Sequence, residues 1–435
     1  MNLLLVDYDA VGMDLGLRAC GWGHAVRWWF PRKDGERRPY GAGCEMEVVD
    51  DWRDSVGWAD LIFPTCNHKL MGELQKAREE GHTIFGPSWL SAKLETDREY
   101  GMQVAADHGM LVPPYKSFAD FDEAIAYVKR RDEALVSKPF SNDDKALSYV
   151  SKSPKDLVWR LTRWKAEGKN FGPFVLQDRV EGPELGVSCW MGLDGWIGPP
   201  NENLEFKKLM PGDLGINTGE TGTVMRYLRA SRLFNETLKP MAKFLRAIGH
   251  LGDIDVNCKI TPKGPAFLEF TARPGWPAFS IMQSEHAGDP VKWMLDAAKG
   301  KDTLEVTYEH AVGMLMWFAP WPYPGGRRDE VEGIPLYGIE DKDLPMLHFH
   351  GAMRAEAPND KFEAEECWCA CDEYTLVATG LGPTVKVAAG RCEELLRKIE
   401  APCSPAWRND IGGSETQARI EALARAGYGA GFRYG

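Results

Sequence analysis

Residues 204–273 place polar chemistry on segments that also read as buried strands. The second half of this stretch, GDIDVNCKITPKGPAFLEFTARPG, predicts two strands joined by a Thr-Pro-Lys-Gly turn. Asp253, Asp255 and Asn257 alternate with Ile254 and Val256, so they share one face of the first strand. Glu269 stands in the second strand among Phe267, Leu268 and Phe270, with Arg273 just beyond it. Polar groups on a core strand need partners, which points to a site rather than a solvated hairpin. Hard oxygen ligands beside an arginine suit Mg²⁺ bridging phosphate oxygens. The first half, LEFKKLMPGDLGINTGETG, carries Lys207, Lys208, Asp213 and four glycines around Asn217 and Thr218. It reads as a loop that offers cations and free backbone N–H groups to an anion.

A chain of 435 residues has room for two to four domains with sizeable cores. Its formal net charge of −12 argues against a broad nucleic-acid-binding face. Ten cysteines without paired spacing argue against a disulfide framework. Cys367, Cys369 and Cys371 alternate on one strand face, but no CxxC or histidine partner completes a metal motif. The start, MNLLLVDYD, turns charged too soon for a signal peptide, and no apolar run reaches membrane-spanning length. A soluble, cytoplasmic protein with no membrane partner is expected.

Strand signals at 3–6, 24–30, 59–65 and 82–88 alternate with helical segments from about Leu15 and in KLMGELQKAREEG. That alternation predicts a doubly wound parallel sheet, with ligands at the carboxyl ends of its strands, near 7–14, 32–38 and 65–69. The first loop holds Asp7, Asp9 and Asp14 and is a poor phosphate cradle; the RKDGERR run is its basic counterweight. A helix is expected from Ser91 through KLETDREYGMQVAADHG, then the amphipathic FADFDEAIAYVKRR. Lys138 ends an apolar strand and precedes the polar loop SNDDKA with Lys145. FVLQDRVEGPELGVSCWMG reads as strand, bend and strand; backbone at 177–180 could meet an adenine edge, and Glu184 ribose hydroxyls. His350 reads as a hydrogen-bonded core histidine, and the tail after Gly412 as an amphipathic helix with a frayed, Gly-rich end.

The order of these motifs resembles ATP-grasp ligases, and among them phosphoribosylamine–glycine ligase (glycinamide ribonucleotide synthetase), over nearly the whole chain. KKLMPGDLGINTGETG is similar to that family's basic pair followed by GD-x-G-x-NTGG-MG, departing at Glu220 and Thr221. QDRVEGPE stands for the nucleotide hinge, EFTAR for EFN-x-R, HFHGAMR for FHAGT and AWRNDIG for the terminal RRDIG; YPGGRRDEVEGIPLYG is similar to a further family stretch. The resemblance implies an N-terminal amine-side domain at 1–90, an ATP-grasp module at 91–312 with a lid at about 112–175, and a C-terminal mixed α+β domain at 313–435. It implies ATP with Mg²⁺ or Mn²⁺, and ligation of a small amino acid, glycine, to an amine through an acyl phosphate, as in purine biosynthesis. Arg98, Lys138, Lys145, Gln177, Asp178, Val180 and Glu184 would hold the nucleotide, and Asp255 and Glu269 the metal. Lys207, Asp213, Asn217, Thr218 and Arg273 would meet the transferring phosphate and the carboxylate. Asp7, Asp9, Asn67, His68 and Gly219 would contact substrate.

Three departures shape the expectation. Thr271 replaces a metal-binding asparagine, GWPA with Trp276 replaces GDPE, and the acidic DYDAVGMD replaces GxGGREH. The acidic loop predicts a cationic or neutral amine in place of a phosphosugar. The alternatives are a divergent ligase acting on a modified nucleotide or nucleic-acid base, and a weakened nucleotide-binding regulator or scaffold. A monomer and a dimer are both compatible with the sequence.

Overall fold

The computed structural model describes residues 1–32, 38–139, 148–169, 172–318 and 330–435. Lys145, its SNDDKA loop, most of the RKDGERR run and the start of YPGGRRDEVEGIPLYG lie outside the described residues.

The N-terminal sheet is all parallel, in the order Glu47–Val48, Ala25–Trp29, Asn2–Val6, Leu61–Pro64. Its apolar central strand is buried along Leu3, Leu4, Leu5 and Val6, as expected for a strand covered on both faces. The strand expected at 82–88 shrinks to a single bridge between Ile62 and Ile84. Gly86 packs so closely on Pro64 that a Cβ there would lie 2.3 Å from the proline ring, and the segment leaves the sheet at that point. A short partner, Glu47–Val48, takes the opposite edge instead.

The helix expected from Ser91 is two helices, Trp89–Thr96 and Arg98–Asp107. Asp97 breaks them: it is extended, and its side chain accepts the Tyr100 N–H to cap the second helix. Residues 115–178 form a subdomain with its own core. A sheet in the order Tyr115–Phe118, Phe174–Asp178, Leu135–Pro139, Tyr149–Val150 carries helices Phe121–Arg131 and Pro154–Ala166.

The main sheet is eight antiparallel strands in the order Gly264–Thr271, Gly252–Thr261, Glu184–Met191, Trp196–Met210, Leu214–Tyr227, His310–Trp317, Tyr374–Gly382, Leu347–Phe349. The stretch read as an anion-binding loop at 207–222 is therefore a long hairpin, turning at Pro211–Asp213. The expected boundary at 312 falls inside strand His310–Trp317, so the C-terminal segment completes this sheet. It adds a small sheet, Ile334–Pro335, Ala364–Ala370 and Ala352–Pro358, and the helix Val385–Lys398.

The C-terminal tail is docked, not frayed. Beyond helix Ser414–Arg425, Tyr428 and Phe432 are buried. The Val385 and Lys386 N–H groups donate to the carbonyls of Arg433 and Tyr434 at 2.8 and 2.9 Å. The Arg433 N–H donates to His310 Nε2 at 2.9 Å. Two aromatics and a set of backbone bonds outweigh the entropy of the glycines. Phe432→Ala should lower the unfolding free energy by about 3–5 kcal/mol in denaturant titration, whereas a loss below about 0.5 kcal/mol would contradict a docked tail.

Candidate active site

A cleft of about 390 Å³ separates the 115–178 subdomain from the main sheet. Lys138, Gln177, Asp178 and Val180 line it from the subdomain and the bend; Glu184, Lys207, Lys259 and Glu269 line it from the main sheet. Arg98 enters from the helix that begins at the Asp97 break, and Asn217, Thr218 and Gly219 from the hairpin. Residues far apart in sequence thus converge on one cavity. Lys138 crosses it: its ammonium donates to the Leu268 carbonyl at 3.2 Å, and Arg98 Nε donates to the Pro139 carbonyl at 2.9 Å. Burial, with Arg98 nearby, pushes the Lys138 ammonium down to about 8. Gln177 turns its amide inward to the Pro113 carbonyl, and Asp178 accepts from Arg131.

Lys207 is the hub of the main-sheet wall. Its ammonium lies 2.9 Å from Glu205, 3.2 Å from Glu269 and 3.6 Å from Glu184. Burial opposes its charge, yet these three carboxylates hold its pKa well above the ordinary lysine value. Glu184 also pairs with Lys259 at 3.1 Å. Burial would raise its pKa, but Lys207 and Lys259 hold it below the usual range. Glu205 was missed by sequence reasoning. It accepts from Asn257 Nδ2 at 2.9 Å as well as from Lys207, and its strand spacing from Lys207 is the one available signal.

A second, smaller cavity of about 70 Å³ adjoins the first, and Lys207, Gly219 and Glu269 line both. Register explains its lining. Glu269 lies opposite Asn257 and Thr271 opposite Asp255, so the alternating polar face faces this cavity together with Asp253. Gly186 runs between Asn203 and Asn257; a Cβ there would come within 2.1 Å of Asn203 Oδ1, so only glycine leaves room for both amides. Asn203 Nδ2 donates to Asp255 Oδ2 at 2.8 Å. Asp253 Oδ1, Asp255 Oδ1 and Asn257 Oδ1 are buried without a donor. Burial pushes Asp253 up to about 8 and Asp255 well above the usual carboxylate range.

These oxygens suit Mg²⁺. Among the described residues no three His, Cys, Asp or Glu side chains close into a protein cage. Mg²⁺ does not require one, since it is usually held by one or two carboxylates together with substrate phosphates. Glu269 at the junction, with the donor-less Asn257 Oδ1 and Asp255 Oδ1 beside it, provides such a half-shell. Thr271 lines the same cavity.

Arg273 is held by Glu95, whose Oε1 lies 3.2 Å from Nη2. The other oxygen of Glu95 accepts from Asn67 Nδ2 at 2.7 Å and from the Ala272 N–H at 3.0 Å. Glu95, also missed from sequence, thereby ties the N-terminal domain to the arginine loop. Asn67 is consumed in this knot, and His68 packs edge-on against Tyr8.

Three expected placements change. Asp7, expected at the open end of its strand, turns inward. It is fully buried and accepts from the Val11 and Gly12 N–H groups, Trp28 Nε1 and Thr65 Oγ1, bonds that shape the loop. Asp14 is likewise buried against Arg18, Gln283 and His348. Of the three loop carboxylates only Asp9 is exposed, and its charge is felt at Arg273. The expected repulsion of a phosphosugar loses two of its three sources. Asp213 turns to the hairpin base, pairing with buried Arg408 at 2.8 Å and Arg419 at 3.1 Å.

No family model matches the chain. Phosphoribosylamine–glycine ligase of Halalkalibacterium halodurans is 25% identical over 361 residues, covering 80% of this chain and 81% of that protein. The crystal structure of phosphoribosylamine–glycine ligase from Thermotoga maritima matches with a TM-score of 0.72 at 16% identity, covering 94% of this chain and all of that one. The biotin carboxylase domain of Hydrogenobacter thermophilus 2-oxoglutarate carboxylase, solved with MgADP, ADP and bicarbonate, matches with a TM-score of 0.64 at 14% identity over 98% of each chain.

The depressed lysine carries a pH signature. Above a pH of about 8 the ligand-free protein holds Lys138 neutral, whereas a bound polyphosphate favours the ammonium. Nucleotide binding should therefore take up a proton there, and affinity should fall toward about tenfold per pH unit. Calorimetry with ADP at pH 8.5 in buffers of different ionisation enthalpy (pH chosen about half a unit above the Lys138 value) reads this uptake. Lys138→Met should abolish it; an unchanged uptake in that variant would place the proton elsewhere.

Proposed function

We propose that this chain, an ATP-grasp ligase similar to phosphoribosylamine–glycine ligases along four fifths of its length, joins glycine to the amino group of phosphoribosylamine, converting ATP to ADP and phosphate. The observation that carries this reading is the junction at Lys207 and Glu269. It connects a cleft suited to a nucleotide with a small polar cavity suited to a small substrate.

A carboxylate is a poor acyl donor, so the reaction needs two displacements. A glycine carboxylate oxygen attacks the γ-phosphorus; the bond to the bridging oxygen breaks, and ADP leaves with that electron pair. The amine nitrogen then attacks the acyl carbon, the bond from carbon to the phosphate oxygen breaks, and the nitrogen loses a proton as the amide forms. Neither step needs a protein nucleophile; both need positioning and charge neutralisation. Lys138 and Arg98 face the phosphates across the cleft, and Lys207 meets the transferring group where the two cavities join. Arg273, fixed by Glu95, stands at the far side near the N-terminal loops, where the amine enters. Glu269, Asn257 and Asp255 would hold Mg²⁺, which when bound withdraws charge from the phosphate oxygens. Burial of Asp7 and Asp14 removes most of the electrostatic objection to a phosphorylated amine.

Glu269→Gln should retain the fold, by circular dichroism and thermal unfolding, while ATP turnover with glycine and phosphoribosylamine falls by about 100-fold or more, read by ADP release and product mass. A folded variant with near-normal turnover would remove Glu269 from the site.

A further inference from the structure

The small cavity has two unlike ends. Near the phosphate junction stand Lys207 and Glu269; at the other end stand Asp253, Gly275, Trp276 and Met282. Alternate residues on strand Gly252–Thr261 are about 6.7 Å apart, so the cavity leads from the Asn257–Glu269 pair through Asp255 to Asp253. Asp253 is 2% exposed, and its Oδ1 has no donor. Asp255 Oδ1, one step nearer the junction, has none either. Carboxylate oxygens left donor-less in a buried site call for a cationic or N–H-rich ligand group. The volume limits that ligand: about 70 Å³ takes only a few heavy atoms, a single water needing about 10–15 Å³.

Trp276 closes this end as a fixed wall. Its ring stacks on Tyr374 at 5.6 Å and 20°, and lies 5.1 Å from the His350 ring. Both neighbours come from the C-terminal segment, so the indole cannot swing away without disturbing that packing.

We infer that the small cavity is the amino-acid pocket, with Asp253 receiving the α-ammonium group and Trp276 excluding any side chain larger than hydrogen. The assignment deepens the ligase reading and rests on it for the identity of the amino acid. With the ammonium at Asp253, the amino acid's carboxylate points back to Lys207 and Glu269, where phosphorylation must occur. Trp276 is a specificity-determining residue in this account, and Asp253 a binding residue.

The test combines direct binding with turnover. Glycine and L-alanine are titrated calorimetrically into the wild type, Asp253→Asn, Trp276→Ala and Trp276→Phe, each with MgADP present, and product is measured separately. Glycine should bind the wild type, with a loss on the order of tenfold or more in Asp253→Asn. Trp276→Ala should lower the preference for glycine over L-alanine by about tenfold or more, the weight of one methyl group in a closed pocket, and Trp276→Phe should retain most of it. Absence of glycine binding to the wild type, unchanged affinity in folded Asp253→Asn, or unchanged selectivity in folded Trp276→Ala would overturn the assignment. Should Trp276→Ala not fold, Asp253→Asn decides. Wild-type glycine binding that depends on Asp253 but yields no product would sustain the pocket and instead sink the ligase reading.

Discussion

A single ammonium group sits among three carboxylates contributed by three different strands. Lys207 lies within 3.6 Å of Glu184, Glu205 and Glu269 and draws the three strands' carboxylates to one point. Three carboxylates this close would repel one another and raise one another's pKa values. The lysine offsets that repulsion on a sheet whose other face is packed core, and with Lys259 it holds the Glu184 carboxyl below the usual range. It also sets the site's chemistry, because a divalent cation and a polyphosphate can redistribute the same charges: carboxylates to the metal, ammonium to the phosphate. The wall between the nucleotide cleft and the small cavity is therefore an electrostatic one.

The antiparallel sheet is what makes that wall possible. Glu269 and Asn257 are cross-strand neighbours, Gly186 leaves space between Asn203 and Asn257, and Glu205 reaches Asn257 from the next strand but one. On the opposite side Glu95 joins Arg273 to Asn67, so the N-terminal domain is fastened to the Arg273 loop through a buried carboxylate. The C-terminal segment contributes by extending the sheet and by clamping Trp276 between Tyr374 and His350.

Much of this was legible in the sequence where the signal is local. The alternation of Asp253, Asp255 and Asn257, the turn, and Glu269 among apolar residues describe one face of a hairpin, and the structure has that face lining the cavity. Lys138, Glu184, Asn217 and Thr218 also reach the cleft from segments whose strand character was readable. What escaped were partners set by distant chain. Asp7 reads as an exposed acid until Trp28 and Thr65 are brought beside it, and Asp213 reads as part of an anion loop until Arg408, 195 residues later, takes it. Asp97 is a helix breaker only because its side chain finds the Tyr100 N–H, a choice that propensity alone leaves open. The glycine-rich end of the tail reads as frayed by composition, yet Tyr428 and Phe432 find a core that composition does not reveal.

The central claim is that the carboxylate is activated by phosphoryl transfer at the Lys207–Glu269 junction. Oxygen transfer tests it most directly. With glycine labelled with ¹⁸O in both carboxylate oxygens, turnover with ATP and phosphoribosylamine should release inorganic phosphate carrying one labelled oxygen, read by mass spectrometry or by the ³¹P isotope shift. Product formation with unlabelled phosphate would show that the carboxylate never bonded to phosphorus and would contradict the account.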